Sequence, residues 1–138
     1  MADDDQDDVF MTKKAFERAK LRNPFHAVHD GEELLAYLHN QMPYEDATQY
    51  PKPGLILLDL NMPKMDGREA LKLIKSNASL KRIPIVVMTT SQAEEDVYRT
   101  YDLGVNSFIS KPITFDGLVD IIKPLCEYWF EIVELPEV

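Results

Sequence analysis

Asp59 ends the apolar run Leu55-Ile56-Leu57-Leu58 and is followed by Leu60-Asn61-Met62-Pro63. Such a run, flanked by Pro53-Gly54 and Pro63, reads as a strand buried on both faces. A carboxylate at its C-terminal end lies at the sheet edge where open α/β folds bind ligands. A buried carboxylate is costly there unless a cation pairs with it. Thr89 and Thr90 follow a second apolar run, residues 85–88, and Lys111-Pro112 follows a third, residues 107–109. Asp3-Asp4-Asp5 precedes the first helical pattern. In a parallel sheet these ends share one edge, so carboxylates, a hydroxyl and an ammonium group converge on one crevice. An acidic cluster of that kind can bind a metal cation first and handle phosphate through it.

The elements that must hold these residues alternate along the chain. Val9, Phe10, Phe16 and Ala19 predict a helix over residues 6–19, and residues 25–28 a short strand ending at Asp30-Gly31. Residues 32–40 are helical, with Leu34, Leu35 and Leu38 on one face; residues 42–53 form a loop. After the Asp59 strand come a helix at 67–77, the strand 85–88, and a helix marked by Ala93, Val97 and Tyr101 that stops at Gly104. The strand 107–109 and a helix over 114–128 finish the pattern, with Pro124 kinking or restarting that helix. Asp66-Gly67 reads as a tight turn into its helix, and Ser91 as the cap of the next. Alternating helices and strands predict a parallel sheet covered by helices on both faces.

Composition narrows the function classes. A chain of 138 residues, 45% hydrophobic and 28% charged, predicts one domain able to bury a core. A net charge of −9 argues against nucleic acid, which needs clustered Lys and Arg. The single cysteine, Cys126, excludes an intrachain disulfide and fits a reducing cytoplasm. No apolar run approaches membrane-spanning length, and the acidic start is unlike a signal peptide. His26, His29 and His39 have no carboxylate or cysteine at metal spacing and read as structural.

Asp59 within LLDLNMPKMDG, Thr89 within VVMTTS and Lys111 within SFISKP resemble the receiver domain of two-component response regulators. The resemblance covers nearly the whole chain. The stretches NMPKMDGREAL, RIPIVVMTTSQAEEDVYRTYDLGVNSFISKP and EYWFEIVELP are more narrowly similar to single-domain regulators associated with bacterial phytochromes. The resemblance implies a flavodoxin-like, doubly wound parallel sheet of order 2-1-3-4-5. It implies a receiver domain over residues 1–138, with a core over about 1–128 and an apolar extension over 129–138. The function implied is a stand-alone response regulator, not an enzyme in the ordinary sense. Asp59 would accept a phosphoryl group from a sensor histidine kinase of the phytochrome type. Mg²⁺ would be held by Asp4, Asp59 and the Asn61 backbone carbonyl, with Asp3 reached through water. Lys111 and Thr89 would contact phosphoryl oxygens, and Thr89 with Phe108 would form the switch. The resemblance also implies a cis bond at Lys111-Pro112.

Each site residue has a plainer reading. Asp59 or Thr89 could cap a helix, Phe108 could be a core residue, and Lys111 a solvated loop lysine. A small aspartyl-phosphate phosphatase of the haloacid dehalogenase type would want an acid two residues after Asp59, where Asn61 stands. The apolar tail Tyr128-Trp129-Phe130 through Leu135 is either folded back or buried in a homodimer interface. A receiver also begins with an apolar strand, and here Met1-Ala2 directly precedes Asp3-Asp4. Three accounts stand: the true strand lies upstream of an internal methionine, a second chain completes the sheet, or the sheet closes without it. An oligomer or a rearranged N-terminus is expected for this chain. Residues 3–8 could then be a disordered acidic tail, the metal site damaged, and the protein a receiver-like interaction module that is never phosphorylated.

Overall fold

In the computed structural model, which describes residues 1–90 and 93–136, three strands form a parallel sheet in the order of the chain. They are β1 (Ile56–Leu58), β2 (Ile85–Thr89) and β3 (Ser107–Ser110). Every residue of β1 and β2 is buried, as their unbroken apolar runs require. Parallel strands need long crossovers. These are supplied by α3 (Gly67–Lys75), between β1 and β2, and α4 (Glu94–Asp102), between β2 and β3.

Alternation along the strands builds two cores. Ile56, Leu58, Ile85 and Val87 face one side, with Leu34 and Leu38 of α2 (Gly31–Leu38) and Leu71 and Ile74 of α3. Leu57, Val86 and Met88 face the other. There they meet Ala15 and Phe16 of α1 (Gln6–Arg18) and Leu118, Ile122 and Cys126 of α5 (Phe115–Glu127). A sheet between two helical layers is the predicted doubly wound fold. Each large side chain buried in these cores contributes roughly 2 kcal/mol.

The first strand is the main departure from expectation. Met1–Asp3 lie in its place. Ala2 bridges in parallel to both Val28 and Leu58. Ala2 N–H donates to Leu57 O (2.9 Å), and Asp59 N–H to Ala2 O (3.0 Å). On the other side Val28 N–H donates to Met1 O (2.9 Å), and Asp3 N–H to Val28 O (3.0 Å). The spatial order is therefore Val28, Ala2, β1, β2, β3, which is 2-1-3-4-5 with the first two strands reduced to bridges. Residues 25–28 do not form the predicted strand: Val28 alone among them bridges, to Ala2. A cavity of about 230 Å³ opens beside Met1, between Phe25–Val28 and Leu55–Leu57. It lies at the opposite end of the strands from Asp59.

Several smaller expectations change. Residues 3–8 are not a disordered tail: Asp5 caps α1, accepting from Asp7 N–H (2.9 Å) and Asp8 N–H (3.2 Å), and Asp3 is buried. Phe10 is exposed, and Thr12, Ala15 and Phe16 form the buried face of α1 instead. α5 runs through Pro124 without restarting and passes into a π-helical turn, Tyr128–Ile132. Pro124 is exposed, so its ring projects into solvent. Among the described residues the cis peptide bond is at Met42-Pro43, not at Lys111-Pro112. Ala93 stands at the N-cap of α4, and Ser91 lies outside the described residues. The tail folds back: Trp129 and Phe130 pack against the α1–α5 core. Gly54 faces Phe130 and Leu135, at 3.5 and 3.4 Å from where a Cβ would stand. The loop after α2 is anchored by Tyr44 and Tyr50, whose rings pack edge-on to each other and against Tyr37.

Candidate functional site

Parallel register brings the site together. Leu58 pairs with Val87, and Thr89 with Ser110, so Asp59, Thr89 and Lys111 fall at one edge. Lys111 N–H donates to Thr89 O (2.9 Å), which extends that pairing one residue past β3. The Ala2 bridges bring Asp3 and Asp4 to the same edge from the other side. Asp59 does not cap a helix; Asp66 caps α3. Gly67 explains how α3 can start so close. A Cβ there would stand 2.2 Å from the Asp59 carbonyl oxygen, closer than any side chain tolerates.

Asp59 is 6% exposed, and its carboxylate is fully engaged. Thr89 Oγ1 donates to Asp59 Oδ1 (2.7 Å), and Asn61 N–H makes a longer bond to the same oxygen (3.4 Å). Lys111 Nζ donates to Asp59 Oδ2 (3.3 Å) and, more closely, to Asp8 Oδ2 (2.7 Å). It also stands 2.7 Å from Asp3 Oδ2. Burial alone would lower the Lys111 pKa, but the Asp3 and Asp8 carboxylates outweigh it and the net shift is upward. Phe108 is half-buried and packs against the α2–α3 core, and its N–H donates to Tyr101 Oη (3.3 Å).

The carboxylates outnumber the cations. Asp3, Asp4 and Asp59 each present an oxygen within a set spanning no more than 4.8 Å. Asp3 is fully buried, and its Oδ2 lies near Lys111 without the alignment of a hydrogen bond. Burial raises the Asp3 pKa to about 6 against the pull of Lys111. A buried, under-satisfied carboxylate oxygen beside two more carboxylates fits a hard divalent cation with oxygen ligands. Asp3, expected to act through water, presents an oxygen to this cluster.

Two features escaped the sequence reading. Asp8 is the close partner of Lys111. Its place three residues after the Asp5 cap is a capping-box pattern, which would have located it in the first helical turn. Arg68 and Asp96 form a two-bond ion pair, both at 2.7 Å, tying α3 to α4. They lie 28 residues apart with no local signal.

The family model "Response regulator receiver domain" matches residues 1–123. The chain belongs to the response regulator receiver family, the phosphoacceptor proteins of two-component signalling. It is 38% identical to Response regulator Rcp1 of Synechocystis sp., over 99% of this chain and 90% of that protein. Among solved structures, the phosphorylated cyanobacterial phytochrome response regulator RcpA is 40% identical, with a TM-score of 0.90 over 99% of this chain and 95% of that one. The Mn²⁺-bound form of Rcp1 is 38% identical, with a TM-score of 0.88 over 99% and 96%. Receivers are signalling phosphoacceptors rather than classical enzymes. Among the described residues no helix is long and apolar enough to cross a membrane.

Proposed function

We propose that Asp59 is the phosphoacceptor, taking a phosphoryl group from a sensor histidine kinase, and that the protein signals from the cytoplasm by partner binding. The observation that carries this reading is the convergence on Asp59 of Thr89, Lys111, Asp3 and Asp4. In this reading an Asp59 oxygen attacks the phosphorus of a phosphohistidine, and the imidazole leaves. Negative charge spreads over the phosphoryl oxygens during transfer. Lys111 offers an ammonium to one of them, and the Thr89 hydroxyl turns from Asp59 to another. Asp4, Asp59 and the Asn61 backbone carbonyl would hold Mg²⁺, with Asp3 reaching it through water. Bound there, Mg²⁺ neutralises charge on the phosphoryl oxygens. Thr89 and Phe108 then carry the change toward the β3 face.

The resemblance to phytochrome-associated regulators supports a kinase of that type and a homodimer formed through α5 and the tail. The domain reading stays a core over about residues 1–128 with an extension over 129–138. Acetyl phosphate with Mg²⁺ tests the assignment. Intact-mass analysis should find one phosphoryl group on the wild type and none on Asp59→Asn. Label that persists on Asp59→Asn would move the nucleophile elsewhere. Rapid turnover of organic phosphates would favour the phosphatase chemistry instead.

A further inference from the structure

We propose that Asp8 is a positioning residue: its carboxylate holds Lys111 Nζ while Asp59 is unphosphorylated and lets it go when Asp59 carries a phosphoryl group. The inference rests on the reading of Asp59 as the acceptor. Lys111 has three ammonium hydrogens and faces three carboxylates. The Asp8 bond, at 2.7 Å, is shorter than the Asp59 bond, at 3.3 Å. In this form the lysine is therefore shared, with its shortest contacts to Asp3 and Asp8 and a longer one to Asp59.

Of the three carboxylates, Asp8 is the one free to release the lysine. Its side chain is 39% exposed, against 7% for Asp59 and 0% for Asp3. A carboxylate that loses its partner in water is rehydrated, whereas a buried one is not. Asp8 also stands outside the cation-ligand set Asp3, Asp4 and Asp59. Its backbone is fixed regardless of the lysine, since Asp8 N–H donates to the Asp5 cap (3.2 Å) and Asp8 O accepts from Thr12 Oγ1 (2.8 Å). Its position in the first turn of α1 suits a carboxylate with or without a lysine beside it. A phosphoryl group on Asp59 adds negative charge next to the ammonium, and Asp8 then competes with it for Lys111.

The test uses the full chain with Mg²⁺ and beryllofluoride as a phosphoryl mimic, with binding followed by fluorine NMR. Asp8→Asn should bind the mimic about fivefold more tightly, the upper end for an ion pair with one half-exposed member. Asp8→Glu should stay near the wild type. In a Lys111→Met background Asp8→Asn should bring no gain, because its effect passes through the lysine. An unchanged or weaker affinity for Asp8→Asn, or a gain that survives Lys111→Met, overturns the proposal. A second arm needs no phosphoryl mimic: acetylation of Lys111 by acetic anhydride, read by peptide mass, should be faster in Asp8→Asn. An unchanged rate also overturns it. If no variant takes the mimic, the reading of Asp59 fails, while the labelling rate still judges the Asp8–Lys111 pair.

Discussion

Lys111 meets an excess of negative charge: Asp3, Asp8 and Asp59 all reach its ammonium. Asp3 is the least comfortable of the three, since it is fully buried and its pKa is pushed up to about 6. Its ordinary value is 3.8, so between about 4 and 6 the folded chain binds a proton that the unfolded chain gives up. Without a cation, the Asp3 contribution to stability therefore falls as pH rises through that window and stays low above it. Asp3→Asn removes the cost. At pH 8 without Mg²⁺ it should be more stable than the wild type by on the order of 2 kcal/mol in urea melts, and the gap should close toward pH 4. Thr89→Val should cost about 1 kcal/mol in the same assay, because Asp59 Oδ1 then falls back on the long Asn61 bond. Asp59, Thr89 and Lys111 were legible in the sequence because each follows or ends an apolar run that must be a strand. The Asp8–Lys111 pair was not, since it spans 103 positions and depends on how α1 lies against the sheet.

Among the elements, the buried strands were the most legible. β1 is wholly apolar and β2 apolar up to Thr89, and both are short and bracketed by turn residues, which leaves little choice of structure. Residues 25–28, interrupted by His26, make only a bridge, at Val28. Helix ends read within a residue or two, as hydrogen-bonded caps at Asp5, Asp30, Asp66 and Thr114 explain. The tie between α3 and α4 was invisible, being a contact between distant side chains. Gly67→Ala should force α3 away from the Asp59 carbonyl. It should lower both stability, by about 2 kcal/mol or more, and divalent-cation affinity. An unaltered urea midpoint would show that α3 does not need that close approach. Arg68→Ala leaves Asp96, a buried carboxylate, without its two-bond partner. It should cost about 2 kcal/mol, with α4 losing amide-exchange protection before the sheet does.

At the scale of the molecule, three residues do the work of a central strand. Met1, Ala2 and Asp3 join Val28 to Leu58, and the sheet keeps the order its family fold requires. The absence of a long first strand suggested a damaged acidic site, yet Asp3 and Asp4 lie beside Asp59, where the backbone bonds of Met1, Ala2 and Asp3 to Val28, Leu57 and Asp59 place them. The tail contributes from the other end, with Trp129 and Phe130 covering the α1–α5 core. Removing the residues after Tyr128 should lower the thermal midpoint by several degrees, roughly what 1–2 kcal/mol produces in a domain of this size. Light scattering on the same variant tests the homodimer: loss of the dimer supports an interface through the tail, and an unchanged dimer places it elsewhere. Asp3, Asp4 and Asp59 are expected to form one cation site beside the acceptor. Calorimetric titration with Mg²⁺ tests it most directly. One cation should bind per chain, and Asp3→Asn and Asp59→Asn should each abolish or severely weaken it. No saturable binding by the wild type, or binding that both variants retain, would mean that these carboxylates do not form a cation site.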